Sequence, residues 1–290
     1  MLNICAIITS YNRKDSTLEC FHRLESAAKT ANVQLKAILV DDGSTDGTAE
    51  EVEASFAWVK VMRGDGNLFW NRGMHLGYAE ALKEEVDAYL WVNDDTHIVD
   101  NALLHVINTW QTMEQTTGKP VVVSGATADE TTGKITYGGD LAQSKFKRFS
   151  YQKVWNENSP TECEVAQGNF LLIPRNIAHA VGNLDPVFEH AMGDIDYTLR
   201  VRKAGFAIYV ASGVIGYCSK NPIKGTFNDK SLSLSHRWQA IMCRKGLPPK
   251  SWLHFTRHHG GLIWPLYFTW PYFRVLVDST LSYVKSKVTK

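Results

Sequence analysis

The order of apolar runs in the first 125 residues constrains this chain more than any other feature. Short β-rich runs alternate with stretches of helical spacing. "ICAIIT" (4–9) precedes a helical pattern from Ser16 to Ala31, in which Leu18, Phe21 and Leu24 fall on one face. "VQLKAILV" (33–40) is followed by a short helix over 49–57, "WVKVM" (58–62) by a helix from Gly73 to Val86, and "AYLWV" (88–92) by a helix from Asp100 to Thr117. "VVVSG" (121–125) closes the series. Strands alternating with helices of this length make βαβ units, so the expected fold is α/β, with a mostly parallel central sheet flanked by helices.

Beyond residue 125 the pattern changes. "DETTGKITYGGD" reads as a hairpin around Thr132-Gly133, and "VAQGNFLLIPR" (165–175) as one strand stopped by Pro174. "GDIDYTLRVRKAG" (193–205) is a short helix bounded by glycines, followed by the strands "FAIYV" and "VIGYC", and residues 230–246 are helical in pattern. From Pro248 the chain is aromatic and basic. We expect a domain over 1–246, with a nucleotide-binding half (1–97) and an acceptor half (98–246), and an extension over 247–290.

Composition excludes several classes. The 290 residues are 44% hydrophobic and 21% charged, as for a globular chain with a sizeable core. A net charge of +1 gives no global basic field for nucleic acid. The five cysteines are scattered without CxxC spacing, which argues against a disulfide scaffold or zinc site and fits a reducing compartment. "MLNICAIITSYN" has no basic region before its apolar run and reads as a first strand rather than a signal peptide. "GLIWPLYFTWPYFRVLV" is short for a membrane span and carries two prolines and Arg274.

Two of the strands end in adjacent carboxylates. "VDDGSTDGT" (40–48) has Asp42, Ser44, Asp46, Gly47 and Glu53 at EF-hand spacing, but the run before it is β-rich where an EF-hand needs a helix. A plainer reading makes Thr45, Asp46 or Thr48 a helix cap. "LWVNDDTHI" (90–98) ends in Asp94 and Asp95. Concentrated negative charge there calls for a compensating cation or donor, and hard oxygen ligands suit Mg²⁺ or Mn²⁺ completed by phosphate oxygens. The carboxyl ends of parallel strands share one sheet edge, where open α/β sheets bind ligands.

The segments "AIITSYNRKD", "LVDDGSTDGT", "WVNDDT" and "GDIDYTLRVRKAG" stand in the order and approximate spacing of the family 2 nucleotide-sugar glycosyltransferases of GT-A fold, which the chain resembles over residues 3–218. The resemblance implies inverting transfer of a hexosyl or deoxyhexosyl group from a UDP- or dTDP-sugar to a hydroxyl of a glycan or lipid-linked glycan. It also implies a divalent metal, and a place in bacterial surface polysaccharide or lipopolysaccharide synthesis at the cytoplasmic membrane face. The alternatives are a sugar nucleotidyltransferase, whose Gly- and basic-rich phosphate loop "ITSYNRKDST" lacks, and a non-enzymatic calcium- or carbohydrate-binding module.

Carried over residue by residue, the resemblance puts Thr9, Tyr11 and Arg13 in the nucleotide pocket and makes Asp42 the acceptor of a base N–H. Asp95 is the direct metal ligand, Asp94 lies near the ribose or diphosphate, and Asn93 departs from the family's acidic first position. Asp194 matches the catalytic base, with Gly193 where the family has Glu. Asp194 also reads as a helix cap, and Asp196 and Arg200 as an i, i+4 pair. Asn67, Trp70, Arg72 and Gly73 are donor-side candidates, Trp70 equally a core residue, and Gln167 and Gly168 lie on the acceptor side. His236 and Arg237 are weaker candidates near the metal or diphosphate.

The tail has two readings. Residues 250–290 hold six Lys or Arg against one acid, Asp278, among Trp, Tyr and Phe. Such a mixture suits an anionic membrane surface. It equally suits an aromatic helical hairpin packed on the catalytic domain or on a second subunit, as in a homo-oligomer.

Overall fold

The computed structural model describes residues 1–144 and 146–288, and for 279–288 the backbone alone. Of the basic tail residues, Lys290 therefore lies outside the described residues, as do the side chains of Lys285 and Lys287. The chain divides into two compact units, Met1–Pro186 with Gly193–Lys220, and Val187–Met192 with Asn221–Lys290.

The first unit opens with β1 (Asn3–Ser10), α1 (Lys14–Ala31), β2 (Gln34–Asp41), α2 (Thr48–Ser55), β3 (Val59–Arg63), α3 (Phe69–Ala81) and β4 (Ala88–Val92). It continues through β5 (His97–Ile98), α4 (Ala102–Thr117), β6 (Val121–Ser124), β7 (Thr127–Ala128), β8 (Ile135–Tyr137), β9 (Gly139–Ala142) and β10 (Tyr151–Val154). It ends with β11 (Thr161–Cys163), β12 (Val165–Ala166), β13 (Phe170–Pro174), α5 (Arg175–Val181), α6 (Gly193–Lys203), β14 (Ala207–Val210) and β15 (Gly216–Tyr217).

Eight strands form the main sheet in the order β11-β14-β6-β13-β4-β1-β2-β3. β4, β1, β2 and β3 are parallel, as the sequence pattern predicts. β13 runs antiparallel to both β4 and β6, and β11 antiparallel to β14. Side chains alternate across the sheet. Ile4, Ala6 and Ile8 meet Phe21 and Leu24 of α1 and Val106 of α4 on one face. Cys5 and Ile7 meet Met74 and Tyr78 of α3 and Tyr197 of α6 on the other. Trp91 is fully buried at the centre of the second layer, with ring centroids 4.7 Å from Tyr197 and 5.3 Å from Tyr78. Arg200 donates to Asp196 at 2.9 Å, the pairing expected from the i, i+4 spacing.

Two expectations are corrected. The stretch 165–175 is two strands in different sheets, because the chain turns out of β12 at Gln167-Gly168 to pass beneath the rings of Trp70 and Trp91. The helix expected from Gly73 begins earlier, at Phe69, because the Asp42 carboxylate supplies acceptors for the N–H groups that lead into it.

The second unit contains α7 (Leu234–Met242), α8 (Pro249–His259), a 3₁₀ turn (Gly261–Ile263) and α9 (Trp264–Val288). Ser233 caps α7 by accepting the His236 N–H. Arg237 is almost wholly buried in this unit, donating to the Phe227 carbonyl at 2.8 Å and facing Asp278 at 3.7 Å, so it has a structural place inside the helical layer. Trp252 stacks on Phe255 with centroids 5.6 Å apart, and Tyr272 donates to the Leu247 carbonyl. Leu262, Leu266, Trp270, Phe273 and Val277 are exposed, at spacings of three and four. Among the described residues, no helix is long and apolar enough to cross a membrane.

Candidate active site

The carboxyl ends of β1, β2 and β4 meet at one edge of the main sheet, with Ser10 opposite Asp41 and Ile7 opposite Trp91. Hydrogen bonds knit the turns that follow. Asn12 N donates to Ser44 Oγ at 2.8 Å, Thr45 N to Asn12 Oδ1 at 2.7 Å, and Lys14 N to Asp46 Oδ2 at 3.0 Å. These bonds, and the strand before Asp41, overturn the EF-hand reading: Ser44 and Asp46 are committed to holding the β1 turn. Asp46 also accepts the Thr48 N–H at 3.1 Å, satisfying the start of α2.

Asp42 is buried, and its carboxylate accepts three backbone N–H groups: Gly66 at 2.9 Å, Leu68 at 3.2 Å and Phe69 at 2.9 Å. Phe69 is held at φ 57°, a left-handed conformation that costs an aromatic residue about 1–3 kcal/mol. Asp42 thus builds the Gly64–Phe69 loop, and of its roughly four lone-pair positions one is left for a ligand.

Asp94 and Asp95 follow β4. The Arg13 guanidinium bridges them, with one nitrogen 2.7 Å from Asp94 Oδ1 and the other 2.9 Å from Asp95 Oδ2. Ser16 Oγ donates to the Asp94 carbonyl at 2.7 Å, fixing α1 to this turn. Asp94 is 3% exposed, and its second carboxylate oxygen has no hydrogen-bond partner. Burial pushes its pKa up from 3.8 to about 6, with Arg13 opposing the rise, Asp95 adding to it, and the nearby Ser10 hydroxyl, too poorly aligned for a full hydrogen bond, easing it slightly. Asp95 is more open and also accepts from the Cys218 thiol at 3.7 Å. Burial, and then Asp95, push that thiol up to about 12, so it remains a neutral donor.

This donor set fits a hard divalent cation, because a buried, unpartnered carboxylate oxygen lies beside an accessible carboxylate. Among the described residues no group of three or more His, Cys, Asp or Glu could hold a metal by itself. Phosphate oxygens and water would have to complete the shell, as is usual for Mg²⁺.

Trp70 joins the two halves of the edge. Its indole N–H donates to Asn93 Oδ1 at 2.7 Å, which gives the departure from an acidic residue at 93 a structural task. A Cβ on Gly168 would stand 2.6 Å from the Trp70 ring, so only glycine lets the 167–169 segment pass. The Gly168 N–H donates to Asp194 Oδ2 at 3.3 Å, and Ile195 N to Asp194 Oδ1 at 2.8 Å. Asp194 stands in the first turn of α6, and burial raises its pKa while these N–H bonds oppose the rise. Gly193 also has a steric cause: a Cβ there would stand 1.6 Å from the amide oxygen of Asn71, a buried residue whose Nδ2 donates to the Asp185 carbonyl. Asn71 fills the space next to residue 193.

The remaining candidates divide. Tyr11 is 54% exposed at the edge, and Asn67 is exposed beside Asp65. Arg72 donates to the Pro186 carbonyl at 3.1 Å. Gly73 lets α3 approach β1, since a Cβ would stand 2.4 Å from Thr9 Oγ1, and Thr9 in turn donates to the Val40 carbonyl. Thr9 and Gly73 are therefore packing residues of the wall. Gln167 belongs to a network that sequence reasoning missed. Lys153 Nζ donates to Gln167 Oε1 at 2.7 Å and to Asp140 Oδ2 at 3.0 Å, and Gln167 Nε2 donates to Asp140. Burial lowers the Lys153 pKa, with Asp140 opposing it. These residues come from β9, β10 and the turn after β12, with no local period to mark them. At the opposite strand ends, a cavity of about 520 Å³ lined by Asp87, Arg175 and His179 holds no such convergence of carboxylates.

A sequence model of glycosyl transferase family 2 matches residues 5–171. No curated protein sequence matches the chain. Among solved structures, the chain is similar to GalNAc-T7 in complex with UDP, GalNAc and Mn²⁺. That likeness has 13% identity and a TM-score of 0.52, over 83% of this chain and 48% of that one. The chain thus spans about half the length of that relative. It is also similar to the mannosyltransferase PcManGT from Pyrobaculum calidifontis in complex with GDP-Man and Mn²⁺, with 13% identity and a TM-score of 0.57, over 99% of this chain and 75% of that one. At such identity the likeness concerns the fold, an α/β GT-A-like sheet flanked by helices. The family match covers more than half of the chain, from β1 through the carboxylate pairs into β13, and the chain belongs to glycosyl transferase family 2.

Proposed function

We propose that the chain is an inverting, metal-dependent glycosyltransferase. In this reading it moves a hexosyl or deoxyhexosyl group from a nucleoside-diphosphate sugar, UDP- or dTDP-linked, to a hydroxyl of a glycan or lipid-linked glycan. The observation that carries the reading is the juxtaposition at one sheet edge of Asp94 and Asp95 with Asp194, across Trp70 and Gly168. A divalent ion, Mg²⁺ or Mn²⁺, would be held by Asp95 and the unpartnered oxygen of Asp94, and would offset charge on the departing diphosphate.

The chain's own residues supply the rest. Asp42 offers its remaining acceptor position to an imide N–H of the base, while Tyr11 offers a ring face for stacking. Asp194 takes the proton of the acceptor hydroxyl as its oxygen bonds to the anomeric carbon and the bond to the diphosphate breaks. Positioned proton transfer of this kind contributes about 10²–10⁴-fold. The raised pKa makes Asp194 a stronger base than an exposed carboxylate. Gln167, fixed by Lys153 and Asp140, holds the strand break that carries the Gly168 N–H.

A thermal-shift screen of UDP, dTDP and GDP and their sugars with Mn²⁺ tests the reading. A metal-dependent stabilisation by at least one nucleoside diphosphate is expected, and no response to any of them would refute it. For the second unit, the exposed row from Leu262 to Val277 and the cation–π contact of Arg257 with Trp264 support peripheral contact with an anionic membrane surface. Surface-polysaccharide or lipopolysaccharide synthesis at the cytoplasmic face fits such a contact.

A further inference from the structure

We propose that Arg13 is an internal counterion that keeps the metal position closed until a donor arrives. Resting on the transferase reading above, a divalent ion enters beside Asp94 and Asp95 only as a nucleoside diphosphate draws the guanidinium away. The two terminal nitrogens of one guanidinium reach two different carboxylates, at 2.7 and 2.9 Å. That fork neutralises part of a buried charge that would otherwise be costly. It does so incompletely, because Asp94 is 3% exposed and one of its oxygens has no partner. The pair therefore remains short of positive charge, while a dication entering with Arg13 still in place would face a cation a few ångströms away.

The surroundings allow the exchange. The Arg13 backbone is pinned, since its carbonyl accepts Thr17 N at 2.9 Å and its neighbours Asn12 and Lys14 are tied to Ser44 and Asp46. The side chain is 46% exposed, so an outward swing requires no repacking of the core. A diphosphate offers paired oxygens that a planar guanidinium binds bidentately. Cys218, a neutral thiol donor to Asp95, Ser16, bonded to the Asp94 carbonyl, and Ser10, whose hydroxyl eases the Asp94 charge, supply no charge to replace Arg13. Nucleotide and metal affinities then rise together, and by the same factor in each direction.

The test measures Mn²⁺ binding to the full chain from the electron paramagnetic resonance signal of the aquo ion. Wild type, Arg13→Met and Arg13→Lys are compared with and without UDP, dTDP or GDP. In wild type, at least one nucleotide should tighten Mn²⁺ binding about tenfold or more. Arg13→Met should tighten nucleotide-free Mn²⁺ binding by about the same factor and lose most of the coupling. Arg13→Lys, which keeps the charge without the fork, should fall between them. Nucleotide-free Mn²⁺ binding by Arg13→Met no tighter than wild type overturns the proposal, as does equal wild-type affinity with and without all three nucleotides. The two readings separate cleanly. Nucleotide-coupled Mn²⁺ binding that Arg13→Met tightens and uncouples, with a wild-type chain that neither transfers nor hydrolyses any donor sugar, upholds the counterion and removes the transferase. Transfer with Mn²⁺ affinity indifferent to residue 13 does the reverse.

Discussion

Replacing Asp94 by Asn should make the protein more stable and the site useless, and the gain should depend on pH. The Asp94 carboxyl is raised from 3.8 to about 6 by burial, after the opposing attraction of Arg13 and the repulsion of Asp95 are included. The native state therefore binds this proton more tightly than the unfolded chain does. Between the two values the native state holds more protons, so stability falls as pH rises through that window and levels off above it. At about 1.4 kcal/mol per pKa unit, the ionised Asp94 costs roughly 3 kcal/mol at pH 8. Asn keeps the shape and carries no charge. Asp94→Asn should gain up to about 3 kcal/mol at pH 8, about 1.5 kcal/mol at pH 5, and almost nothing below pH 4. Thermal melts followed by tryptophan fluorescence read this as a rise of several degrees at pH 8 that shrinks on acidification. The same variant should lose the Mn²⁺-dependent response to nucleotides. A variant no more stable than wild type at pH 8, or one whose gain is the same at pH 5, would show that Asp94 bears no such cost.

Other expectations follow from named contacts. Asp194→Asn should keep nucleotide binding in a thermal-shift assay and lose about 10²–10⁴-fold in transfer. In wild type the rate should fall with acid through a pKa above the ordinary 3.8, and full transfer by the variant removes Asp194 as the base. Gly168→Ala drives a methyl group against Trp70 and should cost about 1–3 kcal/mol in urea unfolding, together with activity. Gly193→Ala should cost a similar amount in the wild type and distinctly less in an Asn71→Ala background; an unchanged cost in a double-mutant cycle would mean that Asn71 is not the obstacle. The intact chain should co-sediment with anionic vesicles, and Trp270→Glu with Phe273→Glu should abolish it. Salt-insensitive self-association without vesicle binding would assign that face to a second copy instead.

The parallel core was legible because β1, β2 and β4 are dense in β-branched and aliphatic residues and end abruptly in polar turns. A parallel register then brings their ends together, so Asp42, Asp94 and Asp95 follow from period and direction alone. What was hidden depends on residues distant in sequence. Arg13 lies 81 positions from Asp94, and nothing in "SYNRKD" says that its guanidinium closes on two later carboxylates. Asp42 reads from the sequence as a group that contacts a ligand, yet three backbone donors claim most of its capacity. The 165–175 run reads as one strand because its apolar content conceals the break at Gly168, where the chain passes close against the Trp70 ring. The Lys153–Asp140–Gln167 network arises from three separate segments in a region without periodicity.

The reversed direction of β13 has a consequence for how such an edge is assembled. In a sheet of parallel strands, each segment can offer a site only the chain that leaves it. An antiparallel insert offers the chain that enters, so Phe170 starts beside Val92 where β4 finishes. Departing and arriving peptide then lie side by side, and the second half of the sequence reaches the Asp94–Asp95 turn without crossing over the sheet. One inverted strand thus lets this sheet edge be completed by a segment that is distant in sequence from the carboxylates beside it.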